Sequence, residues 1–302
     1  MSRLLVIGNV NLETALRVAA FPVPYESASF VPFGIDSAVS GVGYNLAKTL
    51  SVLGDDVVLA AIIGQDRTAA MTREQLRDDG IDDRYVLGQV EKTALSVVAY
   101  DESGRRAVFV DVKDLMEQIY PPSLFDEALA GVEAVLFTQV GYCRPLLAPA
   151  RAAGKLVAVD LQLISDLDDP YKRPYLEAAN IVFMSDEQLP EPPETWAMHL
   201  LERYPAHVVG IGMGAAGALL LVRGAGPPVR MPAITTRPVV NASGAGDALF
   251  ACFMHYYTLT RDAEDALRRA VVFASYKIGE SGSSQGLLDA AGLDALYNSL
   301  RR

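Results

Sequence analysis

Short apolar runs punctuate the chain at Leu4–Ile7, Val57–Ile63, Val135–Phe137, Leu156–Val159, Ile181–Met184 and Val208–Ile211. They are rich in Val, Ile and Leu and lack polar alternation, as strands buried on both faces do. Between them apolar residues recur at helical spacing near Asn45–Leu53, Thr68–Asp79, Pro145–Ala153, Tyr171–Ala179 and Thr195–Tyr204. Strand and helix patterns in alternation predict an α/β fold, with a mostly parallel central sheet and helices on both faces. Three further helices are predicted at the end, near Asp247–Leu259, Asp262–Ile278 and Asp289–Leu300. No internal repeat or low-complexity linker interrupts the series.

Two segments break the alternation. Phe21–Ser40 carries Pro22, Pro24 and Pro32 among Tyr25, Phe30, Val31 and Phe33. Ala94–Tyr100, Asp101-Glu-Ser-Gly104 and Ala107–Val112 read as a hairpin with a glycine turn. Neither suits a βαβ unit. Together they predict a small β excursion over the carboxyl ends of the main strands, where open α/β sheets bind ligands.

Composition narrows the function. A chain of 302 residues can bury a large core. Apolar residues make up 51% without a run long enough to cross a bilayer, so a membrane partner is not expected. The first residues enter a strand-like run directly and lack the length of a secretory signal. The two cysteines, Cys143 and Cys252, lie in apolar surroundings and suggest a reducing, cytoplasmic setting. A formal charge of −11 argues against nucleic acid as the partner. The three histidines have no metal-type spacing, so neither a zinc site nor a histidine triad is expected.

The densest chemistry lies at Asn241-Ala-Ser-Gly-Ala-Gly-Asp247, which runs into the apolar helix pattern. Small residues at 244–246 let the backbone approach a ligand. The first amides of a helix have no partner within it and favour an anion. Asp247 adds a carboxylate in the same turn. Phosphoryl transfer to an alcohol needs donors for the transferring group and a base for the hydroxyl proton. A plain helix start with a dipole-favoured Asp explains the motif equally well. Gly212-Met-Gly-Ala-Ala-Gly217 matches a dinucleotide fingerprint, but a strand-like Ala218–Val222 follows where that fingerprint needs a helix. A Walker A motif is absent.

Several of these segments together resemble the ribokinase (PfkB) family of carbohydrate and nucleoside kinases. Asn241–Asp247 resembles its C-terminal signature, Ser40-Gly-Val-Gly-Tyr-Asn45 its N-terminal one, and Gly8-Asn-Val-Asn-Leu-Glu13 its first strand end. Gly54, Gly64-Gln-Asp66 and the Gly212–Gly217 loop follow in matching order. The resemblance implies a single ribokinase-like domain over 1–302, with a β lid from about 12–39 and 92–113. It also implies ATP-dependent phosphorylation of a primary hydroxyl on a sugar, magnesium arriving with ATP, and a homodimer formed through the lid. A nucleoside kinase is the alternative, and a non-catalytic ligand-binding relative a third reading.

The resemblance assigns roles as well. Asp247 would be the base, and Gly244, Ala245 and Gly246 the anion hole. Asn11, Glu13, Gly41, Val42, Gly43 and Asn45 would meet the substrate, the glycines by leaving room for it. Ser185, Gly212, Gly214, Gly217, Asn241, Ser243, Ala274 and Lys277 would line the nucleotide side, and no residue is assigned to a metal. Gly41 and Gly43 also suit a bare turn, and Asn11 and Glu13 a solvated strand end. Three departures stand out. Asn241 replaces an Asp that helps form a monovalent-cation site in several members. Ser185-Asp-Glu-Gln188 stands where Asn-x-x-Glu is usual, with Asp186 and Glu187 as adjacent carboxylates. Val42 replaces a polar residue of some sugar kinases.

Overall fold

The unalternating runs are buried because they sit inside one large sheet. The structure, a computed structural model, describes residues 1–300. Its first elements are β1 (Arg3–Ile7), β2 (Asn11–Arg17), β3 (Ile35–Ser40), α1 (Val42–Val52), β4 (Asp56–Ile63) and α2 (Arg67–Asp78). Then come β5 (Val86–Gly88), β6 (Ala94–Tyr100), β7 (Arg106–Asp111), α3 (Pro122–Ala128), β8 (Ala134–Phe137), α4 (Leu147–Ala152) and β9 (Leu156–Asp160). The rest are α5 (Arg173–Ala178), β10 (Ile181–Ser185), α6 (Pro193–Arg203), β11 (Val208–Gly212), β12 (Ala218–Val222) and β13 (Val229–Met231). Helices α7 (Ala245–Thr260), α8 (Ala263–Lys277) and α9 (Ala290–Leu300) close the chain.

The main sheet has the order β13-β12-β11-β10-β9-β8-β1-β4-β5. Strands from β11 to β5 pair in parallel, while β12 runs antiparallel to both β11 and β13. Alternate residues feed two cores. Leu5 and Ile7 face a layer containing Phe125, Tyr175 and Leu200 from α3, α5 and α6. Leu4 and Val6 face Leu46, Phe250, Phe253 and Phe273 from α1, α7 and α8. Both faces are covered, so polar residues on these strands are confined to their ends.

The excursion forms a second sheet, β3-β2-β6-β7, with strands at 11–17, 35–40, 94–100 and 106–111. A polar clasp joins it to the main sheet. Asp66 caps α2 by accepting from the Ala69 amide at 3.0 Å, and accepts from the Thr93 amide at 3.1 Å and hydroxyl at 2.7 Å. A side chain on Gly64 would strike the Thr93 amide, its Cβ falling 2.4 Å away, so glycine is needed where lid and sheet touch. The Gly64-Gln-Asp66 segment thus ties the two sheets together.

Some elements differ from expectation. Pro145 turns the start of the helix predicted at Pro145–Ala153 into 3-10 geometry over Gly141–Leu146, leaving α4 short. Strands β5 and β13 span three residues each, too few for a periodic signal. After β11 the chain makes a 3-10 turn at Gly214–Ala216 and returns as β12, so the dinucleotide-like motif is a hairpin loop.

Candidate active site

Asp247 lies in the first turn of α7, where Gly244 adopts φ 75°, a left-handed conformation suited to glycine. A Cβ on Gly244 would lie 2.3 Å from the Ser283 carbonyl oxygen, so the two turns pack directly against each other. A Cβ on Gly246 would meet nothing within 4 Å; this glycine faces open space. The Ala245 amide donates to the Ala242 carbonyl at 3.2 Å, and the Ala248 amide opens the helix ladder to Gly244 at 2.9 Å. Between them, the Gly246 and Asp247 amides have no backbone acceptor among the described residues. Of the residues expected to form the anion hole, Gly246 has a free amide and Ala245 an engaged one, and the amide of Asp247, outside that set, is free as well.

Asn45 reaches across from α1 to donate its Nδ2 to Asp247 Oδ2 at 2.7 Å. Its Oδ1 accepts from the Ser40 hydroxyl at 3.4 Å. The amide expected to hold substrate is thus committed to orienting Asp247. Burial raises the Asp247 pKa to about 6, against the opposing hydrogen bond from Asn45 and the charge of Lys277. A carboxylate with that pKa is ionised at neutral pH and remains a competent proton acceptor.

On the substrate side, Glu13 projects from β2 and accepts from the Ser283 and Ser40 hydroxyls. Asn11 is buried instead of solvated, its Nδ2 donating to Ser96 Oγ at 2.6 Å, so it ties β2 to β6. Gly41 and Gly43 are required by backbone approach more than by room for a ligand. A Cβ at 41 would lie 2.6 Å from Asn11 Oδ1, and one at 43 would lie 2.6 Å from the Gly8 carbonyl carbon. The tight contact brings α1 against the end of β1, with the Gly43 amide donating to the Asn9 carbonyl at 3.0 Å. Val42, the first residue of α1, is half-buried.

The nucleotide side needs correction at three positions. Asn241 is buried and spent on its own turn: Oδ1 accepts from the Ser243 amide at 2.9 Å, and Nδ2 donates to the Ser281 carbonyl at 2.7 Å. Ser243 is buried too, its carbonyl taken by the Lys277 ammonium. Lys277 is fully buried, with its ammonium turned into the protein. Ser185, Gly212, Gly214 and Gly217 do gather at the carboxyl ends of β10 and β11, and Ala274 is half-buried on α8. Gly217 has φ 97° and abuts the Met231 carbonyl, so the loop requires it. Leu249 of α7 lies 3.7 Å from where a Cβ on Gly212 would sit, which places this loop beside the first turn of α7.

A family model described as pfkB family carbohydrate kinase matches residues 1–290. The chain belongs to that family. It is similar to the acarbose 7(IV)-phosphotransferase of an Actinoplanes strain, at 26% identity over 96% of each chain. Among solved structures it resembles the microbiome-derived acarbose kinase Mak1, at 27% identity, a TM-score of 0.89 and 99% coverage of each chain. Arabidopsis thaliana ribokinase, solved with ribose and ATP, shares the fold with a TM-score of 0.81 and 20% identity, over 98% of this chain and 99% of that one. This is a ribokinase-like α/β carbohydrate kinase, a phosphotransferase acting on an alcohol group, and its family uses ATP.

Three groups of this pfkB kinase site were not anticipated. Asp160 ends β9 beside Asp247; burial, then the Asp247 charge, lifts its pKa to about 7. An acid at the carboxyl end of a buried parallel strand was the available signal. Ser283 bridges Glu13 and the Gly244 turn, within a small polar run, Ser281-Gly-Ser-Ser284, just beyond α8. Arg106, from lid strand β7, pairs with Glu187 at 3.7 Å. That pair links the lid to the altered Ser185–Gln188 segment and turns Glu187 toward the lid.

Proposed function

We propose that this carbohydrate kinase transfers the γ-phosphoryl group of ATP to a primary hydroxyl of a sugar held between Glu13 and Asp247. The supporting observation is one assembly: Asp247, oriented by Asn45, beside two free amides that open onto the space in front of Gly246. Asp247 accepts the hydroxyl proton, and the free amides donate to the oxygens of the transferring group, where charge is greatest. The freed alcohol oxygen bonds to the γ-phosphorus, and the bond to the bridging oxygen breaks with its electron pair leaving on ADP. Glu13, steadied by Ser283 and Ser40, accepts hydrogen bonds from sugar hydroxyls. Magnesium enters as the ATP complex.

The lid carries a second part of the reading. Tyr25, Phe30, Phe33, Ile35, Val108, Phe109 and Val110 are all exposed. Val108 and Val110 lie on one face of β7 and Phe109 on the other, so both faces of this edge strand expose apolar side chains. An apolar surface of this kind suits a second copy of the chain. Both thiols are free and buried, as suits a reducing cytoplasm.

An ADP-release assay with ribose, fructose, acarbose, adenosine and inosine tests the proposal. Turnover on a sugar supports it. Turnover confined to nucleosides replaces it with the nucleoside kinase reading, and binding without ADP release replaces it with a non-catalytic one.

A further inference from the structure

The chemistry above leaves Lys277 without a task. This lysine at the end of α8 is fully buried, and an ammonium in that position is costly unless something compensates it. Its Nζ donates to the Ser243 carbonyl. In an uninterrupted helix that carbonyl would be the acceptor for the Asp247 amide, four residues on. The other carbonyl that could close the turn, Ala242, is already taken by the Ala245 amide. The bond from Lys277 therefore coincides with the two free donors of the site. Burial lowers the Lys277 pKa to about 8, while Asp247 and Glu13 favour its charge and Arg106 and Arg237 oppose it.

We propose that Lys277 is a positioning residue: its ammonium pins the Ser243 carbonyl, holding the Ser243–Asp247 turn with the Gly246 and Asp247 amides outward, and presents a fixed positive charge to the Asp247 carboxylate. This rests on the kinase reading. A well-packed apolar residue often replaces a buried charge without loss of stability, so stability alone does not account for a lysine here. Its charge faces Asp247 on α7 and Glu13 on β2, with Arg106 on β7 and Arg237 as like charges. Asp160 on β9 adds a carboxyl beside Asp247. Losing the Lys277 charge leaves Asp247 among carboxyl groups and raises the pH at which it ionises.

Lys277→Met, with a near-matching stem and no charge, is the test. The expected result is a fall in kcat of about tenfold to a hundredfold, below or near the loss of one anion-hole donor. The sugar KM stays within about threefold, since Lys277 does not reach the sugar. The acid limb of the kcat–pH profile moves up by about one pH unit, and the alkaline decline near pH 8 disappears. Wild-type kcat with an unmoved acid limb overturns the proposal. So does a drop in activity that follows a lowered Tm while the pH profile stays put. An independent arm follows the Lys277 side-chain carbon signal by NMR in the unmutated protein and in Asp247→Asn. A Lys277 that titrates at lower pH once Asp247 is neutralised supports the charge coupling; an identical titration overturns it. That arm needs no turnover and decides the matter if Lys277→Met does not fold. An inert unmutated enzyme across the substrate panel would instead show that the kinase reading had failed.

Discussion

The Asn241–Asp247 turn and the lid are both irregular in sequence, yet they are held in opposite ways. In the turn, Asn241 bonds Ser243 and Ser281, Lys277 bonds Ser243, and Asn45 bonds Asp247. Interior hydrogen bonds fix its geometry before any ligand arrives, which is what electrostatic preorganisation requires. The lid is tied at its root, through Asp66 and Thr93, and across the cleft by Arg106 and Glu187. Its outer face remains bare and apolar. The proposed chemistry thus sits at the end of the main sheet, while Glu13, the proposed sugar ligand, comes from the smaller one. The difference separates changes that should affect kcat from those that should affect binding and assembly.

Asp247→Asn tests the rigid side hardest. It keeps shape but cannot accept the proton, so kcat should fall by about 10²–10⁴ with the sugar KM little changed. In the unmutated enzyme kcat should decline below about pH 6, where Asp247 becomes protonated. Near-normal turnover of the variant would remove Asp247 as the base.

Glu13→Ala tests the lid side. Losing a hydrogen bond to a charged group should cost kcat/KM about 1.5–3 kcal/mol, roughly tenfold to a hundredfold. Glu13 belongs to the cover, so the loss should fall mainly in KM; an unaffected KM would erase the division between the two regions.

Two glycine substitutions sharpen the picture of the turn. Gly244→Ala places a Cβ 2.3 Å from the Ser283 carbonyl at a φ of 75°, so Tm should drop, with about 1–3 kcal/mol of backbone strain. Gly246→Ala points into open space and should leave Tm alone while reducing kcat. Identical behaviour of the two in thermal melts would contradict the packing described.

Phe109→Asp addresses the bare face. Light scattering should find a dimer for the unmutated chain and a monomer for the variant, with only a few-fold loss of kcat/KM. A monomeric unmutated protein at micromolar concentration would refute the lid interface.

The smallest effect is expected from potassium. Asn241 fills its surroundings with an amide donor bonded to Ser281, so replacing potassium by a bulky organic cation should change activity less than about twofold, the scale of a weak surface ion effect. A clear potassium requirement would show that backbone carbonyls hold an ion despite Asn241.

Much of this molecule was legible along the chain. The runs Leu4–Ile7 and Ile181–Met184 are buried strands because sheet burial leaves a local hydrophobic signature, and the helix after Asp247 begins where its apolar period begins. Asp247 and its glycines were also legible, since a helix start is a local event. Roles that depend on distant partners were not. Asn45 looked like a substrate ligand until Asp247, on another helix, claimed its amide. Asn241 and Lys277 looked nucleotide-facing until burial turned both inward. Ser283 and Arg106 carry no local pattern that marks them as site residues, and Asp160 offered only its place at the end of a buried strand. The sequence by itself determined the elements, their order and the segment where an alcohol could meet a phosphoryl group, because these follow from periodicity and backbone sterics within a few residues. Only the tertiary structure decided which polar groups are free and which are spent, because a hydrogen bond or a pKa depends on what other elements bring within a few ångströms.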